Sequence, residues 1–112
     1  MADCLFCRIV AKEIPATIVA ETDDALAFRD INPAAPVHVL AIPKTHYASL
    51  AHADDEALLG RLMAFAAKVA VQEGIAETGY RTVVNTGNNG GQTVDHLHVH
   101  VLGGRRMTWP PG

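Results

Sequence analysis

Apolar and polar positions alternate along this chain with two different periods, and each period marks a different kind of element. Val37-His38-Val39-Leu40-Ala41-Ile42 is an apolar run interrupted only by His38, which predicts a buried strand ended by Pro43. Thr17 to Glu21 and Ala25 to Arg29 read as two shorter strands across the turn-like Thr22-Asp23-Asp24. Tyr80 to Asn85 reads as another strand, and His96 to Leu102 as the last, broken by Gly103-Gly104. A helical period appears at Leu58, Leu59, Leu62, Met63, Ala66, Val69 and Ala70, predicting one long helix from about Ala53-Asp54-Asp55-Glu56 to Glu73 with Gly74 as its C-cap. The acidic first turn suits the helix dipole, and the Leu/Met stripe reads as core. Cys7 to Lys12 predicts a short N-terminal helical turn, stopped by Ile14-Pro15. Asp30 to Pro36 and Thr86 to Gln92 are loops. The expected class is α+β: an antiparallel five-stranded sheet with one long helix and a short N-terminal helix.

Composition narrows this without changing it. The 112 residues suit a single domain, 1–112, and 49% hydrophobic with 19% charged residues is neither a disordered nor a membrane composition. Nine Lys and Arg against 12 Asp and Glu give no bulk attraction for nucleic acid. No apolar run approaches the roughly 18 residues needed to span a bilayer, and Met1-Ala2-Asp3-Cys4 is not the start of a signal peptide, so the expectation is a cytoplasmic protein with no membrane partner. The tail from Arg105 to Gly112 is too short for an element of its own. With Trp109 beside Pro110-Pro111, it is expected to fold back on the body or on a second subunit.

The chemistry concentrates in His96-Leu97-His98-Val99-His100-Val101. Alternate side chains of a strand share a face, so the three histidines line one side while Leu97, Val99 and Val101 enter the core. Stacked imidazoles fill a dry interior poorly unless they are hydrogen-bonded or metal-bound. Histidine titrates near neutrality, so one ring can serve as nucleophile or base while another serves as acid or anion clamp. His38, the polar break in a central strand, also needs a partner or a cavity. The glycine-rich loop offers backbone N–H groups at Gly87 to Gly91, and the Thr93 hydroxyl, to a phosphate. An imidazole can displace an amine from phosphorus in two easier steps, provided that a second group protonates the leaving amine. No acidic cluster suits a two-metal centre, since Asp30 stands alone. Cys4-Leu5-Phe6-Cys7 is a C-x-x-C pair that reads as a redox pair, an inert pair or half of a zinc site.

The run His96 to Leu102 matches the histidine triad signature, and the sequence resembles the histidine triad (HIT) superfamily on its nucleotide-binding, HINT-like branch. The resemblance covers nearly the whole chain: Ile14-Pro15-Ala16, Ala27-Phe28-Arg29-Asp30, His38 to His46, Gly79-Tyr80-Arg81 to Asn85, Gly90-Gly91-Gln92-Thr93-Val94, and Val101 through Gly112. It implies purine nucleotide phosphoramidase activity through a nucleotidyl-histidine intermediate, acting on AMP-lysine-type adducts or aminoacyl adenylates. His98 would be the nucleophile, His100 the phosphate and leaving-group contact, and His38 a support of the proton network, with His96 completing the triad. Asp30 would bind the ribose, Phe28 and Ile31 the base, and Asn85, Gly91, Gln92 and Thr93 the phosphate side, where many members have serine at the last position. Trp109 would approach the site of a partner subunit in a homodimer. By resemblance to bacterial members, Cys4, Cys7, His46 and His96 would hold a structural zinc, with no catalytic metal. Rival readings are a dinucleoside polyphosphate hydrolase of the same superfamily, a nucleotide-binding scaffold with weak activity, and a metal-dependent hydrolase. A nucleotidyltransferase would resemble His-x-His-x-Gln, and the third position here is His100.

Overall fold

The apolar run around Leu40 occupies the centre of the molecule. The computed structural model describes residues 3–112. Along the chain come α1 (Leu5–Val10), β1 (Ile18–Glu21), β2 (Ala25–Arg29), β3 (Val37–Pro43), a 3-10 turn (Leu50–His52), α2 (Glu56–Gln72), β4 (Tyr80–Val83) and β5 (Val99–Gly103). The strands form one sheet in the order β1-β2-β3-β5-β4, every neighbouring pair antiparallel, as the sequence pattern predicts. Among the described residues no helix is long and apolar enough to cross a membrane.

Period-two alternation divides the sheet's residues between two layers. Ala25, Ala27, Val39, Ala41, Val99 and Val101 pack with Leu62, Phe65, Ala66, Val69 and Ala70 of α2. Leu26, Phe28, Leu40 and Ile42 face the other way, onto Phe6 and Ile9 of α1. The small alanines of β2 and β3 let the long helix approach closely, while α1 covers only part of the opposite face. That partial cover is what leaves room for a site.

Several boundaries differ from the sequence reading for identifiable reasons. Helix α1 starts at Leu5 rather than Cys7, because the Cys7 N–H donates to the Cys4 sulfur at 3.4 Å, and cysteine is not among the usual capping residues. Helix α2 starts at Glu56, capped by Asp55 Oδ1 accepting from the Leu58 N–H at 3.1 Å, and a 3-10 turn precedes it. On α2, Phe65 is buried and Met63 is exposed, the reverse of the expected stripe at that turn. The β5 ladder begins at Val99 rather than His96: Ala41↔Val99 is its last pair with β3. Before that point the Leu97 N–H donates to the Tyr47 carbonyl at 2.7 Å and the His96 N–H to the Val94 carbonyl at 2.9 Å. Strand β4 ends at Val83, two residues short of Asn85.

Past α2, Gly74 takes φ 76°, the Ile75 N–H donates to Ala70 O and the Gly74 N–H to Val71 O, the paired bonds of a Schellman cap. The cap turns Ile75 onto Gly103, which is the last residue of β5 rather than a simple break. A β-carbon at Gly103 would meet Ile75 Cδ1 at 2.7 Å and Ile75 Cβ at 2.9 Å. Gly103→Ala is therefore expected to cost about 1–3 kcal/mol of unfolding free energy in urea titration. The loss should be smaller in an Ile75→Gly background, which removes the Ile75 Cβ as well, and equal losses in both backgrounds would show that this contact is not the cause.

Candidate active site

Where α1 leaves the sheet uncovered lies a cleft of about 310 Å³. Phe6, Ile9, Phe28 and Leu40 form apolar walls, Asp30 and Thr93 stand at its margins, and His98 and His100 line it. Ile31 is 92% exposed on the rim, an apolar side chain waiting for cover. Size and lining suit a ligand with a flat apolar part and an anionic part.

Backbone groups fix the proton positions of the cleft histidines. His98 Nδ1 lies 2.7 Å from the His96 carbonyl, an obligate acceptor, so Nδ1 carries the proton and Nε2 keeps its lone pair. The Ala34 N–H donates to His38 Nδ1 at 3.0 Å, which places the proton of neutral His38 on Nε2. That N–H meets His100 Nδ1 at 2.9 Å, so His100 accepts there and carries its own proton on Nε2. One cleft histidine thus offers a lone pair and its neighbour an N–H donor. The rings are close, with centroids 4.9 Å apart for His98 and His100. Phe6 meets the His98 ring edge-to-face at 5.2 Å, and Arg105 donates to the Ala34 carbonyl at 2.9 Å, tying down the loop that locks His38.

Burial, with the His98 and His38 rings nearby, pushes His100 down to about 4. Burial lowers His38 as well, partly opposed by Asp30. An unfolded histidine takes up its proton near pH 6.5, so between about pH 6.5 and 4 the unfolded chain binds more protons than the folded one. Stability should be fully present above that range and fall as pH drops through it. Urea unfolding at about pH 7 and about pH 4.5 is expected to show a smaller loss for His100→Gln than for the wild type. Equal losses would remove His100 as a source of the acid sensitivity.

A second cluster lies beneath α1. Cys4 Sγ is 3.3 Å and Cys7 Sγ 3.6 Å from His96 Nδ1, Cys7 Sγ is 3.3 Å from His46 Nδ1, and the two Nδ1 atoms are 3.1 Å apart. Zinc bonds of about 2.3 Å to sulfur and 2.0–2.1 Å to nitrogen in a tetrahedron place S and N ligands about 3.5 Å apart and two N ligands about 3.3 Å apart. The four donors are arranged at that scale. His96 Nε2 donates to the Pro43 carbonyl at 2.9 Å, which leaves Nδ1 free to ligate and orients the ring as an outer partner of a metal histidine does. Burial, with the Cys4 thiol beside it, pushes the Cys7 thiol up, a penalty that a cation held among the donors reverses. The donor set fits zinc.

Not every residue singled out in the sequence reaches the cleft. Asn85, Gly91, Gln92 and Trp109 do not line it. The Gly91 N–H, a candidate phosphate donor, is taken by the Asn88 carbonyl at 3.1 Å. The Gln92 amide bonds Ala48 O, Val94 O and the Gly87 N–H, so it braces the loop. The tail does return to the body, through Arg81 donating to Thr108 O at 2.8 Å and its guanidinium 5.9 Å from the Trp109 ring centre, yet Trp109 stays 81% exposed. The sequence reading missed Phe6, whose signal was its place between two cysteines on a short helix, and the backbone N–H of Ala34, which had none.

A profile of the HIT domain matches residues 11–107. The crystal structure of a HIT family hydrolase from Legionella pneumophila superposes with a TM-score of 0.95 at 53% identity, over 98% of this chain and 100% of that one. A 14 kDa zinc-binding protein of Zea mays is 53% identical, over 96% of this chain and 87% of its own. Adenylylsulfatase HINT1 of Arabidopsis thaliana is 52% identical, over 96% of this chain and 76% of its own. Profile, relatives and superposition agree with the histidine geometry, and the chain belongs to the HIT family, on its HINT-like branch.

Proposed function

We propose that this protein is a nucleotide hydrolase that cleaves the bond between the alpha phosphorus and its leaving group, the P–N bond of purine nucleoside 5'-phosphoramidates of the AMP-lysine type and the P–O bond of related aminoacyl adenylates. The observation that carries the reading is the His98 tautomer: Nδ1–H is spent on the His96 carbonyl, so a neutral ring brings its Nε2 lone pair to the cleft. His98 Nε2 attacks the alpha phosphorus, the P–N bond breaks, and the amine departs with a proton relayed from solvent through the Thr93 hydroxyl at the cleft margin. Water then attacks the same phosphorus, breaking its bond to His98 and releasing the nucleoside monophosphate. The Nε2–H of His100 donates to the phosphate oxygens. Phe28 and Ile31 enclose the base, Asp30 accepts from the ribose hydroxyls, and Thr93 offers its hydroxyl on the leaving-group side.

Cys4, Cys7, His46 and His96 hold a structural zinc in this reading, a role supported by the donor spacing and by the zinc-binding relative. The metal would join α1 to the catalytic segment, and no catalytic step is assigned to it. A homodimer through α2 and the edge strand β4 would cover Met63, Val71 and Tyr80, which are exposed, and bring the exposed Trp109 to a partner's cleft. A monomer mass by light scattering at micromolar concentration would remove that arrangement.

The test is turnover of adenosine 5'-phosphoramidate beside diadenosine polyphosphate and adenosine 5'-phosphosulfate. The last substrate is included because a relative is named an adenylylsulfatase. Fastest cleavage of the phosphoramidate supports the proposal. Preference for the dinucleotide moves the protein to the polyphosphate hydrolases, and binding without turnover makes it a scaffold.

A further inference from the structure

Asp30 stands at an unusual junction. Its Oδ1 accepts from the Asn32 N–H at 2.8 Å, while its Oδ2 lies 3.4 Å from His38 Nε2. That same Nε2–H is the one given to His100 Nδ1 at 2.9 Å. With His38 Nδ1 filled by the Ala34 N–H, His38 has a single proton and two acceptors competing for it. Asp30 also lines the cleft, so a ligand donor can reach its carboxylate.

We infer that Asp30 is a positioning residue for His100, acting through His38, so that engagement of the ribose hydroxyls is read at the phosphate end of the cleft. The inference rests on the nucleotide reading proposed above. A hydroxyl donating to Oδ2 satisfies part of the carboxylate's demand, and the His38 proton turns fully to His100 Nδ1. A stronger bond accepted at Nδ1 makes the Nε2–H of His100 a better donor to the phosphate. Among the described residues the groups facing His100 are His98 just before β5, His38 on β3 and Asp30 in the loop between β2 and β3, and the route from the sugar to His100 runs through Asp30 and His38. The sugar hydroxyls then contribute to kcat as well as to binding, and the cleft selects ribonucleotides over sugars lacking those hydroxyls at the chemical step.

The test combines spectroscopy and kinetics. Imidazole 15N resonances of His100 are recorded with adenosine and with 2',3'-dideoxyadenosine, neither of which carries a phosphate to touch the ring. Adenosine is expected to shift His100 and the dideoxynucleoside to leave it near its unliganded position, and in Asp30→Asn neither should shift it. The kcat for the dideoxy phosphoramidate should be about 10-fold below that for the ribo substrate, equivalent to 1.4 kcal/mol, with the difference abolished in Asp30→Asn. Equal shifts from the two nucleosides, or a change confined to KM, would overturn the inference. The nucleoside comparison in the wild type needs no variant, so it decides even if Asp30→Asn folds poorly. Nucleoside shifts as expected with no turnover would sink the hydrolase proposal and leave the Asp30 link standing, whereas a wild type that binds no adenosine overturns both.

Discussion

Replacing His98 with alanine is expected to reduce phosphoramidate turnover by a factor of about 10⁴ or more, the scale of losing a covalent nucleophile, while AMP binding survives. No neighbour can take over. The Nδ1 of His100 is occupied by the His38 N–H, and the Nδ1 of His96 faces the cysteines. The Nδ1 of His38 is occupied by the Ala34 N–H, so among the cleft and cluster rings His98 alone offers a lone pair to the cleft. AMP should still bind because the apolar walls, Asp30 and the His100 N–H are untouched. The ring is buried against Phe6, so a modest fall in thermal midpoint is expected and should be measured beside turnover. A folded variant within about 10-fold of wild-type turnover would assign the nucleophile elsewhere.

The placement of His98 at the cleft shows what the sequence made legible. Alternation alone placed His96, His98 and His100 opposite the layer of Leu97, Val99 and Val101, and it holds even though the ladder of β5 starts only at Val99. Side-chain alternation is local, whereas the ladder depends on where the facing strand stops, and that stop at Pro43 with Tyr47 folding in is a tertiary event. The tautomers were beyond reach for the same reason. They depend on the carbonyl of His96 and the N–H of Ala34, backbone groups that every residue type except proline carries alike. On α2 the apolar stripe was readable as core, but Met63 and Phe65 lie two positions apart, about 200° around the helix, so one step in the stripe's edge exchanged them. Gly91 and Gln92 carry a second use that their motif did not announce. Their motif pointed to the phosphate, yet their hydrogen bonds are spent within the loop and on Ala48.

Loss of the proposed zinc is expected to have the second largest effect, felt at the cleft through α1. Substituting Cys4 and Cys7 together by serine removes both thiolates, and zinc content of reduced protein should fall from about one per chain to near zero. The N-terminal helix has only six residues, far too few to be stable alone, so its position depends on its anchors. Those anchors are the cluster beneath it and the packing of Phe6 and Ile9 on Leu26, Phe28, Leu40 and Ile42. Without the metal, His46 and His96 face each other with Nδ1 atoms 3.1 Å apart and no cation to share. The thermal midpoint is expected to drop by about 10 °C or more, as it should for wild-type protein stripped of metal under reducing conditions. AMP affinity should weaken in parallel, because Leu5, Phe6 and Ile9 of α1 line the cleft and Phe6 stands edge-on to both Phe28 and His98. A double variant with unchanged melting and unchanged AMP affinity would show that apolar packing alone holds α1, leaving the cysteines without a structural part in the site.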